Sequence, residues 1–127
     1  MDARININEA LGLADGEAHI IRNAGGLVTD DVLRSLILSQ WAMGTEQIVV
    51  IQHTGCGLHG LDQEALAARI TDETGATAPS GFGAFTDLEA SVRGSLDQLR
   101  SCATLRARDN VSGFLFDVQT GLLQPIG

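Results

Sequence analysis

The sequence of 127 residues contains no lysine and no tyrosine, and eight arginines face sixteen acidic residues. The net charge of −8 argues against nucleic acid or an anionic membrane surface as a partner, because both demand a basic face. No apolar run approaches the roughly 20 residues of a membrane-spanning helix. The first residues also lack the basic start and apolar core of a signal peptide. We therefore expect a cytoplasmic protein that binds neither nucleic acid nor membranes.

Cysteine is scarce as well, since Cys56 and Cys102 are the two in the sequence. Two cysteines do not make a disulfide framework, so we expect reduced thiols. Cys102 follows the apolar face of a predicted helix, and we interpret it as a packing residue. The apolar content of 44% is enough for a core, and the length predicts a single domain over residues 1–127.

The apolar pattern alternates between strand and helix character, which predicts an α/β fold. Thr29 is suited to cap a helix, and Leu33, Leu36, Ile37 and Trp41 follow on one face at helical spacing. The first strand, this helix and the next strand predict a βαβ unit with a right-handed crossover. The predicted strands are 18–22, 48–51, 111–118 and an edge strand at 122–126, and the predicted helices are 30–43, 61–72 and 87–101, the last beginning with a capping box at 86–89.

The stretch 47–60, QIVVIQHTGCGLHG, carries the strongest functional signal. Its β-branched run is typical of a buried parallel strand, and ligands bind beyond the carboxyl ends of such strands. The loop that follows contains His53 and Cys56, which are close enough in sequence to reach one metal ion. Imidazole and thiolate are ligands that zinc prefers. Spacing alone leaves open a histidine bonded to the loop backbone and a buried thiol.

Two further features are candidates for the same site. Asp2 and Arg4 point the same way in an extended segment, and an arginine fork holds a carboxylate through two parallel hydrogen bonds. A solvated terminus explains this spacing equally well. His59, three residues beyond Cys56, could complete a ligand set, although an exposed loop histidine is the simpler interpretation.

The sequence resembles the β-class carbonic anhydrases over nearly its whole length, in separated motifs that agree in order and spacing. These motifs are MDAR at 1–4, HIIRNAGG at 19–26, TDDVLRSL at 29–36, GT at 44–45, VIQHTGCG at 50–57 and VSGFLFDVQTG at 111–121. The resemblance implies a mostly parallel sheet flanked by helices, in a homodimer or a dimer-based oligomer. It also implies a zinc lyase that interconverts carbon dioxide and bicarbonate.

The resemblance further implies roles for four residues. His53 and Cys56 match the second and third zinc ligands of the family. Asp2 and Arg4 match its Asp–Arg dyad, in which the aspartate orients a zinc hydroxide nucleophile toward carbon dioxide. The alternatives are a carbon dioxide analogue such as carbon disulfide as substrate, or a non-catalytic homologue that acts as an oligomeric binding or regulatory module.

One ligand of the family has no counterpart in the sequence. The first cysteine ligand lies two residues before the dyad aspartate, on the first strand, and that position precedes Met1. We consider three explanations: residues upstream of Met1 in the functional protein, a shortened and catalytically impaired homologue, or a third ligand from His59 or Cys102.

Overall fold

The computed structural model describes all residues of 1–127 as an α/β structure around a three-stranded mixed sheet. Strands β1 and β2 are parallel, with Ile48 opposite Val111 and His53 opposite Phe116. Strand β3 returns antiparallel to β2. The elements in chain order are α1 (Ile7–Leu11), a 3-10 turn (Ala24–Gly26), α2 (Asp30–Met43), β1 (Ile48–His53), α3 (Gln63–Thr74), α4 (Leu88–Ser101), β2 (Val111–Phe116) and β3 (Leu123–Ile126).

The core lies where α4 packs on β1 and β2. Val92, Leu96 and Leu99 of α4 are fully buried against the sheet. Gly113 of β2 permits this close approach, because a Cβ there would lie 2.6 Å from Cγ1 of Val92. The apolar stripe of α4 therefore fixes the helix to the parallel pair of strands.

The helix boundaries follow their predicted caps closely. Thr29 Oγ1 accepts a hydrogen bond from Val32 N at the start of α2, and the left-handed Gly44 ends that helix. Helix α4 begins one residue later than the capping box suggests, because the Asp87 side chain, not Thr86, accepts from the backbone N–H of Ala90. Helix α3 is displaced by two residues from the prediction and is capped by Asp62.

The predicted strand at 18–22 is wrong. This segment has no strand hydrogen bonds, and the sheet order β1-β2-β3 leaves one edge of β1 without a neighbour. An extended segment becomes a strand only when another strand pairs with its backbone. The expected βαβ unit over 18–51 is therefore absent, and the parallel crossover instead runs from β1 through α3 and α4 to β2.

Only part of the predicted apolar face of α2 packs against the core. Leu33, Leu36 and Ile37 are partly buried against the core, but Trp41 is 61% exposed. Its indole N–H donates to the backbone carbonyl of Thr104, and Arg106 lies over its ring. No helix is long and apolar enough to cross a membrane.

Candidate metal centre

The loop after β1 is tied to the end of β2, which places it at the carboxyl edge of the sheet. The backbone N–H of Thr54 donates to the carbonyl of Phe116, at 3.0 Å. The N–H of Val118 donates to Thr54 Oγ1 at 3.1 Å. Gly55 supplies the turn with a φ of +64°, a conformation that other residues adopt at a cost. The site predicted at the end of this strand is thus anchored to both parallel strands.

His53 is buried and held in one tautomer. Its Nδ1 lies 2.8 Å from the carbonyl oxygen of Thr54, which can only accept a hydrogen bond. Nδ1 therefore carries the proton in the neutral ring, and Nε2 keeps a free lone pair. A histidine that donates from one nitrogen to a carbonyl is the usual form of a metal ligand. The local backbone thus prepares Nε2 for a metal ion.

Asp2 and Arg4 form the bidentate pair that their spacing suggests. Oδ1 of Asp2 accepts from Nε of Arg4 at 2.8 Å and from its backbone N–H at 2.9 Å. Oδ2 accepts from Nη2 at 2.6 Å. Nη2 also donates to the carbonyl of Gly55 at 3.2 Å, which joins the pair to the loop after β1.

The arginine controls the charge of the aspartate. Its side-chain hydrogen bonds, followed by its backbone N–H, hold the pKa of Asp2 well below the usual range. The Arg4 pKa is raised in return, chiefly by the hydrogen bond to Asp2 and to a smaller extent by the charges of Asp2 and Cys56. Asp2 is therefore a carboxylate at any ordinary pH and can only accept hydrogen bonds.

The carboxylate faces the free nitrogen of His53. Oδ2 of Asp2 lies 3.7 Å from Nε2 of His53, although fifty-one residues separate them. Cys56 is half-buried on the same loop with a free thiol. The imidazole of His53 and the carboxylate of Asp2 therefore lie together at the strand end, with Cys56 on the loop that follows, and imidazole and thiolate are ligands that zinc prefers.

Two other candidates lie elsewhere. His59 stacks on Phe85, with ring centroids 5.7 Å apart, and its Nε2 lies 3.0 Å from the carbonyl of Thr86. Cys102 ends α4, packs against the core and contacts Thr104 Oγ1. No three His, Cys, Asp or Glu side chains group closely enough to hold a metal ion. His59 and Cys102 thus each have contacts of their own away from His53, and Cys102 packs against the core as expected.

A groove of about 850 Å³ lies beside β1 and reaches His53. The extended segment 18–22 and strand β1 both line it, and His53 lies in its wall. Ile20 and Ile21 lie in the segment that pairs with no strand, and their side chains are 45% and 42% exposed. Most of the other lining side chains are also apolar. The open edge of β1 therefore faces a hydrophobic space.

Sequence reasoning missed the residues that hold the site together. The guanidinium of Arg22 donates to the backbone carbonyls of Asp2 and Ile5. The backbone of Thr54 and Gly55 accepts from His53 and Arg4. These contacts join side chains to carbonyls, which every residue has, so no residue-type pattern marks them in advance.

Comparison with known proteins gives a consistent result. A family model described as carbonic anhydrase matches residues 1–123. Beta-carbonic anhydrase 1 of Mycobacterium tuberculosis is 40% identical over 126 residues, which cover 99% of this chain and 77% of that protein. A carbon disulfide hydrolase of Acidithiobacillus thiooxidans is 31% identical, covering 98% of this chain and 73% of that protein.

The fold agrees with the sequence relationship. The crystal structure of carbonic anhydrase from Streptococcus mutans superposes with a TM-score of 0.93 at 40% identity. The match covers 100% of this chain and 77% of that one. The expectation of a β-carbonic-anhydrase-like α/β fold is therefore confirmed, and the chain belongs to the β-carbonic anhydrase family of enzymes.

Proposed function

We propose that this protein catalyses the reversible hydration of carbon dioxide to bicarbonate at a zinc ion held by His53 and Cys56. The observation that carries the proposal is the position of the Asp2 carboxylate, 3.7 Å from the free Nε2 of His53. Hydrogen bonds hold each member of this contact in one orientation. Carbon dioxide hydration is the activity of the family to which the chain belongs.

The donor set fits zinc. Nε2 of His53 has its lone pair free because Nδ1 donates to Thr54. Cys56 is reduced and lies near enough to Arg4 to raise the pKa of the guanidinium, behind the larger effect of Asp2. A bound zinc ion would supply a nucleophile at neutral pH, because the pKa of a coordinated water falls from about 15.7 to about 7.

Asp2 and Arg4 orient the nucleophile in this proposal. Asp2 stays ionised and has only acceptor atoms, so it accepts a hydrogen bond from the nucleophile and directs the remaining lone pairs toward the carbon of carbon dioxide. Arg4 keeps both carboxylate oxygens in place and, through Gly55, ties them to the loop of the metal ligands. An orientation of this kind lowers the barrier without any proton transfer to Asp2.

Catalytic zinc sites usually have three protein ligands, and residues 1–127 provide two in this proposal. The family pattern places the remaining cysteine two residues before Asp2. We propose that a further ligand would approach from the groove beside β1, because His53 lies in its wall and β1 has no neighbouring strand at that edge.

The test is stopped-flow hydration of carbon dioxide by the zinc-loaded protein and two single variants. We expect His53→Ala to lower kcat/KM by at least about a hundredfold, since loss of a metal ligand removes the nucleophile. His59→Ala is the matched control, because His59 stacks on Phe85 outside the site, and its activity should equal that of the unsubstituted protein. Equal activity of His53→Ala would disprove the assignment.

Two alternatives can be distinguished in the same experiment. The relative named carbon disulfide hydrolase favours a carbon dioxide analogue as a second candidate substrate. Release of hydrogen sulfide from carbon disulfide, faster than hydration of carbon dioxide, would support it. Absence of both activities and of bound zinc after purification with added zinc would support a non-catalytic binding or regulatory module.

We further propose a homodimer or a dimer-based oligomer formed by a single-domain chain. Helix α2 exposes Leu38, Trp41 and Met43, which are large apolar side chains of the kind that association buries. Sedimentation equilibrium should give at least twice the chain mass of 13.4 kDa. The cytoplasmic location expected from the sequence stays a prediction.

A further inference from the structure

Arg22 lies outside the proposed metal site, yet it contacts the segment that carries the dyad. Nη1 of Arg22 donates to the carbonyl of Ile5 at 3.1 Å, and Nη2 donates to the carbonyl of Asp2. These two carbonyls belong to the first and last residues of the segment 2–5, which contains the Asp2–Arg4 pair. One planar guanidinium therefore holds both ends of the short dyad segment, which a single point charge could not do.

The segment has few other attachments. The backbone N–H of Ile5 donates to the carbonyl of Asp2, which closes a tight turn, and Ile5 is the buried residue of this stretch. Arg4 Nη2 reaches Gly55 on one side. Arg22 supplies attachments on the other side, where the Met1 ammonium group also donates to the carbonyl of Asn23 at 2.7 Å. Contacts with the loop after β1 and with residues 22 and 23 therefore hold the dyad from both sides.

Arg22 is itself fixed relative to β1. The next residue, Asn23, closes a ring with Leu27: its Nδ2 donates to the Leu27 carbonyl at 2.8 Å and its Oδ1 accepts from the Leu27 N–H at 3.1 Å. The ring encloses Gly26, whose α-carbon packs so closely on β1 that a Cβ would lie 2.6 Å from the carbonyl oxygen of Ile51. The turn that follows Arg22 therefore packs on Ile51, which lies two residues before His53 in β1.

The geometry points to Arg22 as a positioning residue that sets the place of the Asp2–Arg4 pair relative to His53. It acts through backbone carbonyls and does not touch the carboxylate. The contact path runs from β1 through the turn at Gly26 to Arg22, and from there to Asp2. This role rests on the proposed function of the dyad, but its structural part can be tested without activity.

The first measurement is amide hydrogen exchange in the metal-free protein. Arg4 N–H, which donates to Asp2 Oδ1, and Ile5 N–H, which donates to Asp2 O, report on the dyad segment. We expect Arg22→Ala to accelerate exchange at both amides by about tenfold, because loss of two hydrogen bonds from a charged donor frees the segment locally. Amides of Leu96 and Leu115 in the core should not change.

Two variants separate positioning from general destabilisation. Arg22→Lys keeps the charge but lacks the planar fork whose two nitrogens reach the two carbonyls, so exchange should be intermediate. Arg69→Ala removes an arginine whose partner is Glu73 on the surface of α3, and it should leave the exchange of Arg4 and Ile5 unchanged. Unchanged exchange in Arg22→Ala, or equal acceleration in the core, would overturn the proposal.

The second measurement is kinetic and uses the zinc-loaded protein. Loss of orientation should lower kcat and kcat/KM together, by about tenfold in Arg22→Ala and by less in Arg22→Lys. A rise in KM alone would contradict a role in orienting the nucleophile. The proposed function fails separately if His53→Ala retains full activity, whatever Arg22 does to hydrogen exchange.

Discussion

The half of the molecule built from α4, β2 and β3 is held by apolar packing, whereas the half that carries the dyad is held by polar contacts along an open edge. Val92, Leu96 and Leu99 fill the first half without residual exposure. In the second half, Arg4 connects the segment 2–5 to the carbonyl of Gly55, and Arg22 donates to the carbonyls at the two ends of that segment. Stability and chemistry are therefore assigned to different regions, and changes in one should affect the other only through β1.

The largest effect is expected in the packed half. Leu96→Ala leaves a cavity between α4 and the sheet, and such deletions cost about 2–5 kcal/mol of unfolding free energy. Urea unfolding followed by circular dichroism would measure it. Leu122→Ala, at a side chain that is 69% exposed, should change the free energy by less than about 0.5 kcal/mol. Equal effects of the two variants would contradict the assignment of stability to the side chains that α4 buries against the sheet.

A smaller effect is expected where the two halves meet at Gly26. Gly26 and Gly44 both have positive φ, at +60° and +76°, so alanine at either should cost about 1–2 kcal/mol. A Cβ at Gly26 also meets the carbonyl of Ile51, whereas one at Gly44 meets nothing within 4 Å. Gly26→Ala should therefore destabilise more than Gly44→Ala in urea unfolding.

The two glycine variants should also differ in activity. Gly26→Ala displaces the turn that supports Arg22 and should slow carbon dioxide hydration, while Gly44→Ala should not. If both variants kept full activity, the path from β1 to the dyad would not matter for catalysis.

The smallest effect concerns the pH dependence of the open half. Hydrogen bonds from Arg4 depress the pKa of Asp2 in the folded state. The unfolded value is about 3.9, so the pair stabilises the fold above that pH, and the contribution is lost as pH falls through the folded pKa. The difference in unfolding free energy between the unsubstituted protein and Asp2→Asn should therefore be constant from about pH 5 to about pH 8. It should shrink in stronger acid.

Thermal unfolding across this range would measure the difference. Asp31→Asn is the control, because Asp31 forms a far more exposed ion pair with Arg34 on α2 and reports what such a surface pair contributes. A difference that grew toward low pH would have the wrong sign for a depressed pKa and would refute the assignment.

Local patterns predicted most of the packed half. The apolar spacing of α4 and the caps Thr29 and Gly44 act over three or four residues, so the helices follow from the sequence to within two residues. The run at 48–51 is a strand because β2 pairs with it, and in the structure it extends to His53. The prediction of a strand at 18–22 failed because a strand needs a neighbouring strand to pair with, and no local pattern shows whether one is present.

The candidate site divides in the same way. His53 and Cys56 stand three residues apart at a strand end, and ligand chemistry identifies them without a structure. The dyad could be suspected from spacing, but a solvated terminus had the same spacing. The structure distinguishes the dyad from a solvated terminus through two long-range contacts. Arg4 donates to Gly55, fifty-one residues away, and Asp2 lies beside His53.

By itself, the sequence determined the three long helices to within two residues, the start of β1 and the pair of candidate ligands His53 and Cys56, because these depend on side chains that are neighbours in the chain. The tertiary structure decided which nitrogen of His53 is free, how far the Asp2 carboxylate lies from it, and that Arg22 supports the dyad. These properties depend on hydrogen bonds to backbone carbonyls from distant parts of the chain. Every residue offers such a carbonyl, so only the folded arrangement selects which ones are used.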